Sequence, residues 1–257
     1  MPVVVVLALL VAAFLFAPVL IVVPMSFTTS QSYAFPPPGY TVGQYVRYFE
    51  DSTWYIPTIN SFSIALGTAA LTLALVIPAA YAVVRYRFKG RAFANLFLIA
   101  PMLVPTIISA IAYYKYLSFP KLVGTHIGVI LAHVCLATPV AMLIMSAALK
   151  GYDRNLERAA MMSGAGIFQT FFYVTFPVLR PGIIVAGLFA FLNSFDETVV
   201  SLFIAGRAAS TLPKRMFESI QLDTDPVIAV VSTMLFLLVV CLFLLQALLR
   251  RSQAHAA

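Results

Sequence analysis

The sequence predicts an all-α membrane protein that crosses the bilayer about six times. Two observations carry that prediction. First, 62% of the residues are hydrophobic and 10% charged, with a mean hydropathy of +0.98, whereas a soluble domain is about 45–50% apolar and about 25% charged. Second, the apolar residues gather into runs of roughly 20, the length a helix needs to cross the hydrocarbon layer. A soluble chain of 257 residues would need far more polar surface to cover one core. The net charge of +7 falls between the apolar runs, so it bears on topology rather than on nucleic acid.

The whole chain, 1–257, reads as a single transmembrane domain. Its first helix, about 3–25, has no basic flank before it and no small-residue cleavage site after it, and it is too long for a signal-peptide core. Residues 28–55 form an extracytoplasmic loop in which Phe35-Pro-Pro-Pro-Gly-Tyr40 excludes regular helix. Thr41-Val-Gly-Gln44 looks like a capping box opening a short interfacial helix. Tyr45, Tyr48, Trp54 and Tyr55 suit the headgroup level.

Residues 56–249 then read as a five-helix core. The second span covers about Ile56 to Val84, with Gly67, Ala70 and Ala74 as a packing face. The third covers about Phe93 to Tyr116 and holds Pro101 and Pro105. The fourth, about Thr125 to Leu149, is expected to break at Pro139. The fifth covers about Pro181 to Ile204. A polar loop, Gly206 to Asp225, precedes the sixth, about Pro226 to Leu249.

Charge sets the expected orientation. With both termini in the cytoplasm, the inner side holds ten Lys and Arg residues, namely Arg85, Arg87, Lys89, Arg91, Lys150, Arg154, Arg158, Arg180, Arg250 and Arg251. The outer side holds six, namely Arg47, Lys115, Lys121, Arg207, Lys214 and Arg215. That excess favours both termini inside. The outer loop carrying Lys214, Arg215, Glu218, Asp223 and Asp225 is either a solvated loop or a contact for another protein.

Several chemistries are missing. No Gly-x-x-x-x-Gly-Lys-Ser/Thr loop is present to cradle nucleotide phosphates. His126 and His133 share a helix face but lack a nearby acidic or thiol partner for a metal shell, so they read as interhelical hydrogen-bonding groups. Cys135 and Cys241 both fall in apolar runs and read as small core residues. An enzyme is not indicated.

The connection 150–180 is the most informative stretch. Asp153 is a candidate N-cap. Leu156 and Ala160 share one helix face, Ala159 and Ser163 keep the surface small, and Gly164 and Gly166 stop the helix. A second short helix, about Phe168 to Val174, is expected to end before Pro177. Two short helices meeting at glycines make a knob with an apolar side, suited to docking into another protein's groove or to lying on lipid.

This stretch resembles the EAA loop of ABC-importer permeases: Glu-Ala-Ala, three residues, Gly, nine residues, Ile-x-Leu-Pro. Here Ala159-Ala160, three residues and Gly164 match, and Val174-Thr175-Phe176-Pro177 is a conservative ending. Arg158 stands where the family has glutamate, and Glu157 lies one residue earlier. Ile130-Leu-Ala-His133, Pro177-Val-Leu-Arg-Pro-Gly-Ile183, Ser194-Phe-Asp-Glu197, Thr211-Leu-Pro213 and Val231-Ser-Thr233 are similar to the second permease of spermidine/putrescine-type importers.

The resemblance implies a type I ABC importer permease fold in the bacterial inner membrane. It implies an ATPase-coupling set of Asp153, Leu156, Glu157, Arg158, Ala159, Ala160 and Gly164. The implied partners are a second homologous permease, two ATPase subunits, and a periplasmic or lipid-anchored solute-binding protein. No cofactor is expected on this chain; ATP and Mg belong to the ATPases. The charge at Arg158 implies a compensating acidic residue on the ATPase.

Asp196 and Glu197 fall in the apolar fifth span, where a carboxylate costs roughly 2.5–3.5 kcal/mol on insertion scales. On a continuous helix Asn193, Glu197 and Ser201 form a stripe flanked by Asp196. Such a stripe either lines a substrate pathway that attracts a cation or caps or braces the helix bundle, for instance by meeting Lys115 or His133. The function expected is import of a small cationic solute of the polyamine type. Another small organic solute, such as an aminophosphonate or amino acid, is the alternative within the class. An ion-coupled secondary transporter or channel is the alternative outside it.

Overall fold

In hydrocarbon a backbone has no water to bond, so each peptide group finds its partner inside its own helix. The computed structural model describes residues 2–31, 35–222 and 225–254, and Asp223 and His255 lie outside them. In order the helices are α1 (Pro2–Met25), α2 (Gly43–Glu50), α3 (Ser52–Arg85), α4 (Arg91–Ile99), α5 (Thr106–Ser118), α6 (His126–Gly151), α7 (Asn155–Met162), α8 (Ile167–Thr170), α9 (Phe176–Phe195), α10 (Val199–Ile204), α11 (Leu212–Leu222) and α12 (Val227–Ala254). A 3₁₀ turn, Ala100–Leu103, follows α4, and a π-helical turn, Phe171–Thr175, joins α8 to α9.

Among the described residues four helical stretches are long and apolar enough to cross a membrane: Val4–Met25, Ser52–Arg85, His126–Gly151 and Ile167–Phe195. A fifth arises if the bent pair Arg91–Leu103 and Thr106–Ser118 is one span, and Val227–Cys241 is a shorter apolar helix.

Proline chemistry explains where these spans depart from expectation. The third span is not one rod, because its two halves meet at 106°. Pro101 tightens the chain into the 3₁₀ turn, and Pro105 forces Val104 into extended geometry, ψ 131°. Pro139, by contrast, does not break α6. The helix runs on through it, buried against its neighbours, and the Thr138 hydroxyl bonds back to Val134 O (2.7 Å) within the same turn. The short helix expected to end before Pro177 instead runs on into α9 through the π turn, with Pro177 in the first turn of α9. The fifth span stops at Phe195 and restarts as α10, so it is interrupted where a continuous helix was expected. The polar loop before α12 contains the helix α11.

The described chain divides by its contacts into two units, Met1–Tyr55 with Arg215–Ala257, and Ile56–Lys214. In the first, α12 packs against α1 and α2. The Asp225 carboxylate organises it. One oxygen accepts from Val227 N (3.1 Å) at the start of α12, and the other accepts from Arg47 Nη2 (3.1 Å) and Trp54 Nε1 (3.2 Å). Arg215 lies 5.0 Å over the Trp54 ring. Trp54 is therefore buried rather than held at a surface. The capping box does not form. Thr41 Oγ1 accepts from Gly43 N, but the buried Gln44 side chain donates to Ser30 O instead of returning to the cap.

In the second unit α6 and α9 pack closely. A Cβ added at Gly182 would stand 2.6 Å from the Ala148 Cβ, the small-residue approach common between membrane helices. One core is built on Val76, Met142, Met145 and Leu149. A second is built on Ile64, Val129, Val200 and Ile204. Gly67 meets Ile130 across α3 and α6, as a packing face should. Both cysteines are free and exposed, not core; Cys135 faces the cavity left by the bent pair.

Candidate functional site

Two regions of the second unit carry the residues singled out from the sequence. The first is the connection after α6. Asp153 Oδ1 accepts from Asn155 N (2.9 Å) and sets where α7 begins. The helix ends in a Schellman motif: Ala165 N donates to Ala160 O and Gly164 N to Met161 O. Gly164 takes the left-handed turn, φ +91°, that the motif requires. Gly166 N then donates to the Gln169 side chain, and α8 begins.

The product is an exposed knob. Asp153, Leu156, Arg158, Ala159 and Gly164 are exposed and Ala160 is half-buried. Around them Met162 is 90%, Phe168 81% and Tyr173 80% exposed. Large apolar side chains grouped this way mark a protein or membrane contact. Among the described residues Arg158 reaches only its own helix, donating to Asn155 Oδ1 (3.4 Å).

Glu157 departs from the expected set. It points inward and is buried. Its carboxylate accepts from Thr175 Oγ1 (3.2 Å) and Tyr81 OH (3.4 Å) and lies 3.6 Å from Arg85 Nε. Arg85 also donates to Tyr152 O (3.2 Å) and sits 5.0 Å from the centre of the Tyr152 ring. Tyr81, Arg85, Tyr152 and Thr175 were missed from the sequence, where Arg85 counts only as a loop charge. Its place at the last residue of α3, at the edge of an apolar run, is the signal that it could turn back onto the bundle.

The second region is the break between α9 and α10. Asp196 is the C-cap of α9, so the stripe Asn193, Glu197 and Ser201 is not continuous. Asn193 and Asp196 are exposed, Glu197 is half-buried and Ser201 is buried. Glu197 Oε1 accepts from Val200 N (3.0 Å), stapling the start of α10. The Ser201 hydroxyl donates to Glu197 O (2.8 Å) and meets His133 Nε2 (3.3 Å). His133 Nδ1 in turn meets Ser194 Oγ (2.8 Å), which donates to Thr68 Oγ1 (3.2 Å). Among the described residues neither Lys115 nor His133 pairs with the acidic side chains, so the bracing contacts expected of that pair are not made.

His126 at the start of α6 is also interhelical. His126 Nε2 meets Asn60 Oδ1 (2.9 Å), and Asn60 Nδ2 donates to Ala208 O and Ser210 O (both 3.0 Å). A cavity of about 660 Å³ between α3, the bent pair and α6 is almost wholly apolar and contains none of the expected pathway residues.

A bundle of several apolar helices that exposes a two-helix knob defines a multi-pass membrane protein with a surface for a further contact. Residues 70–255 match the binding-protein-dependent transport system inner membrane component family, and the chain belongs to that family. It is 28% identical over 246 residues to the spermidine/putrescine transport system permease protein PotC of Haemophilus influenzae, covering 95% of this chain and 94% of that one. It is 30% identical over 239 residues to the putrescine transport system permease protein PotI of Escherichia coli, covering 90% and 84%. The sulfoquinovosyl glycerol transport system permease protein SmoH of Agrobacterium fabrum is 32% identical over 174 residues, covering 67% and 61%. In fold the chain is similar to a bacterial ABC transporter involved in the import of the acidic polysaccharide alginate, with a TM-score of 0.78 at 16% identity over 95% of this chain and 94% of that one. Family membership speaks for a multi-pass inner-membrane permease and against an ion-coupled secondary transporter or channel.

Proposed function

We propose that this chain is one of two permease subunits of an ATP-driven ABC importer for a small cationic solute of the polyamine class. The observation that carries the reading is the knob at Asp153–Gly164, which exposes Leu156, Met162 and Phe168 around a turn held by Gly164. Such a surface needs an apolar groove on a partner. The partner is an ATPase subunit, two of which hold the ATP and Mg while this chain holds no cofactor. A second, similar permease completes the pore, and a solute-binding protein delivers cargo on the opposite face. Both termini then lie in the cytoplasm, as the excess of Lys and Arg on that side supports.

The polyamine class is supported by the similarity to PotC and PotI along nearly the whole chain and by the exposed Asp196 carboxylate at the α9–α10 break. The similarity to SmoH supports a second reading, in which the cargo is another small organic solute.

The test is reconstitution. The chain, co-expressed with its neighbouring permease, ATPase and binding-protein genes, should purify with the ATPase. Proteoliposomes should take up labelled putrescine or spermidine only when ATP is hydrolysed. Uptake driven by an ion gradient without any ATPase would overturn the reading. Uptake of a different solute in an ATP-dependent manner would keep the machine and change the cargo.

A further inference from the structure

Of the residues on α7, Arg158 faces outward and Glu157 faces in, with side chains of Glu157 and Arg85 only 3% and 9% exposed. The elements that α7 packs against most are the two segments that follow it, α8 and the π turn. Among the described residues its side-chain bonds to a spanning helix run through one group, the Glu157 carboxylate, which meets Tyr81 and Arg85 of α3. The same carboxylate accepts from Thr175, the last residue of the π turn beneath α9. Arg85 extends the connection to the end of α6 through Tyr152 O.

We infer that Glu157 is a positioning residue that converts displacement of the knob into displacement of α3 and α9. This rests on the reading of α7 as the docking helix. The physical reason is the cost of separating charges in a dry place. A buried carboxylate that loses its cation has no water to replace it. A push on the exposed face of α7 therefore carries Arg85 and Thr175 with it rather than sliding past them. The π turn suits that role, because its wide register presents Thr175 to the carboxylate at the point where α9 begins. The neighbouring Arg158, exposed and among the described residues bonded only within its helix, does not have this reach.

The test compares E157Q, R85Q and the double variant in the assembled importer in proteoliposomes, reading assembly yield, ATP hydrolysis and solute taken up per ATP. Glutamine keeps the size of the glutamate and removes its charge. The expected result is near-normal yield and hydrolysis with uptake per ATP down roughly tenfold, the scale of one lost charge-assisted hydrogen bond. R85Q should show the same loss, and the double variant no more than either, because both remove one interaction. If yield, hydrolysis and uptake fall in proportion, Glu157 is a brace and nothing more, and the inference is overturned. An unchanged ratio overturns it equally. If E157Q does not assemble, Y81F and T175V each remove one hydroxyl donor to the carboxylate and leave the ion pair. A lower ratio in these supports the inference and an unchanged one overturns it. Absence of ATP-driven uptake in the wild-type importer would instead sink the proposed function itself.

Discussion

His133 Nδ1 lies 2.8 Å from the Ser194 hydroxyl at a point where neither side chain meets solvent. Through its other nitrogen the ring meets Ser201, so one imidazole ties α6 to the helices on both sides of the α9–α10 break. The break has few other side-chain bonds to hold its angle, and the ring supplies them from a separate helix.

His133→Ala should therefore destabilise the chain by about 1–2 kcal/mol, since interhelical hydrogen bonds in membrane proteins average about 0.6 kcal/mol and reach about 1.7, with the lost ring volume added. His133→Gln keeps a donor and an acceptor and should recover much of the loss. The melting temperature of the purified protein in detergent checks this. Equal melting temperatures for wild type and the alanine variant would mean that the ring does not hold the break.

The Gly164 turn makes a separate prediction for the knob. Its φ of +91° is strained for any residue with a side chain, while the space around an added Cβ is empty. Gly164→Val should thus weaken the end of α7 by backbone conformation alone, roughly 1 kcal/mol or more. Asn tolerates the left-handed region better and should weaken it less. Retention of the ATPase during purification is the readout, and the expected order is glycine, then asparagine, then valine. Equal retention across the series would remove the turn from the docking surface.

Four of the six expected spans were legible as long apolar helices among the described residues, because crossing a membrane is a matter of length and apolarity, which composition displays directly; the third is a bent pair and the sixth a shorter apolar helix. The bends were not, because a proline's effect depends on the packing around it as well as on its missing N–H. Pro139 is buried in α6, which packs against α9, and the helix continues. Pro105 follows Val104 at the end of a 3₁₀ turn, and the chain swings through 106°. The knob was legible from Asp153, Gly164 and Gly166, since caps and stops are local. The direction of each side chain was not. Adjacent residues on a helix point about 100° apart, so Glu157 and Arg158 part company as soon as Asp153 fixes where α7 starts. The stripe through Asn193, Glu197 and Ser201 failed for the same kind of reason: it assumed a helical register that Asp196 ends.

Asp225 gives a third prediction, in the unit formed by Met1–Tyr55 and Arg215–Ala257. Its carboxylate caps α12 through Val227 N and receives Arg47 and Trp54, with the Asp225 side chain 8% exposed and Arg47 42% exposed. Asp225→Ala should cost about 1–2 kcal/mol from the lost cap, and more from the indole N–H left without its acceptor. Arg47→Ala should cost less, about 0.5 kcal/mol, because solvent and salt screen a half-exposed pair. Thermal melts at low and high salt separate the two. Salt should narrow the gap between wild type and Arg47→Ala while leaving the loss in Asp225→Ala nearly intact.

The acidic pair at the break yields the last prediction, and the geometry divides it. Glu197 is committed to the backbone of α10, accepting from Val200 N at 3.0 Å. Asp196 is exposed, and among the described residues its carboxylate forms no ion pair. Glu197→Gln keeps an acceptor oxygen at the cap and should leave stability almost unchanged, whereas Glu197→Ala should cost about 1 kcal/mol. Asp196→Asn removes a charge that no neighbour needs. It should leave assembly and melting temperature untouched and raise the apparent KM for a cationic solute several-fold, since a charge facing a pathway raises the local concentration of its counter-ion. Adding salt should shrink that difference, because the attraction is screened over about 10 Å at 0.1 M. An unchanged KM in Asp196→Asn would take the carboxylate out of the pathway. A loss of assembly in the same variant would return it to the structure of the break.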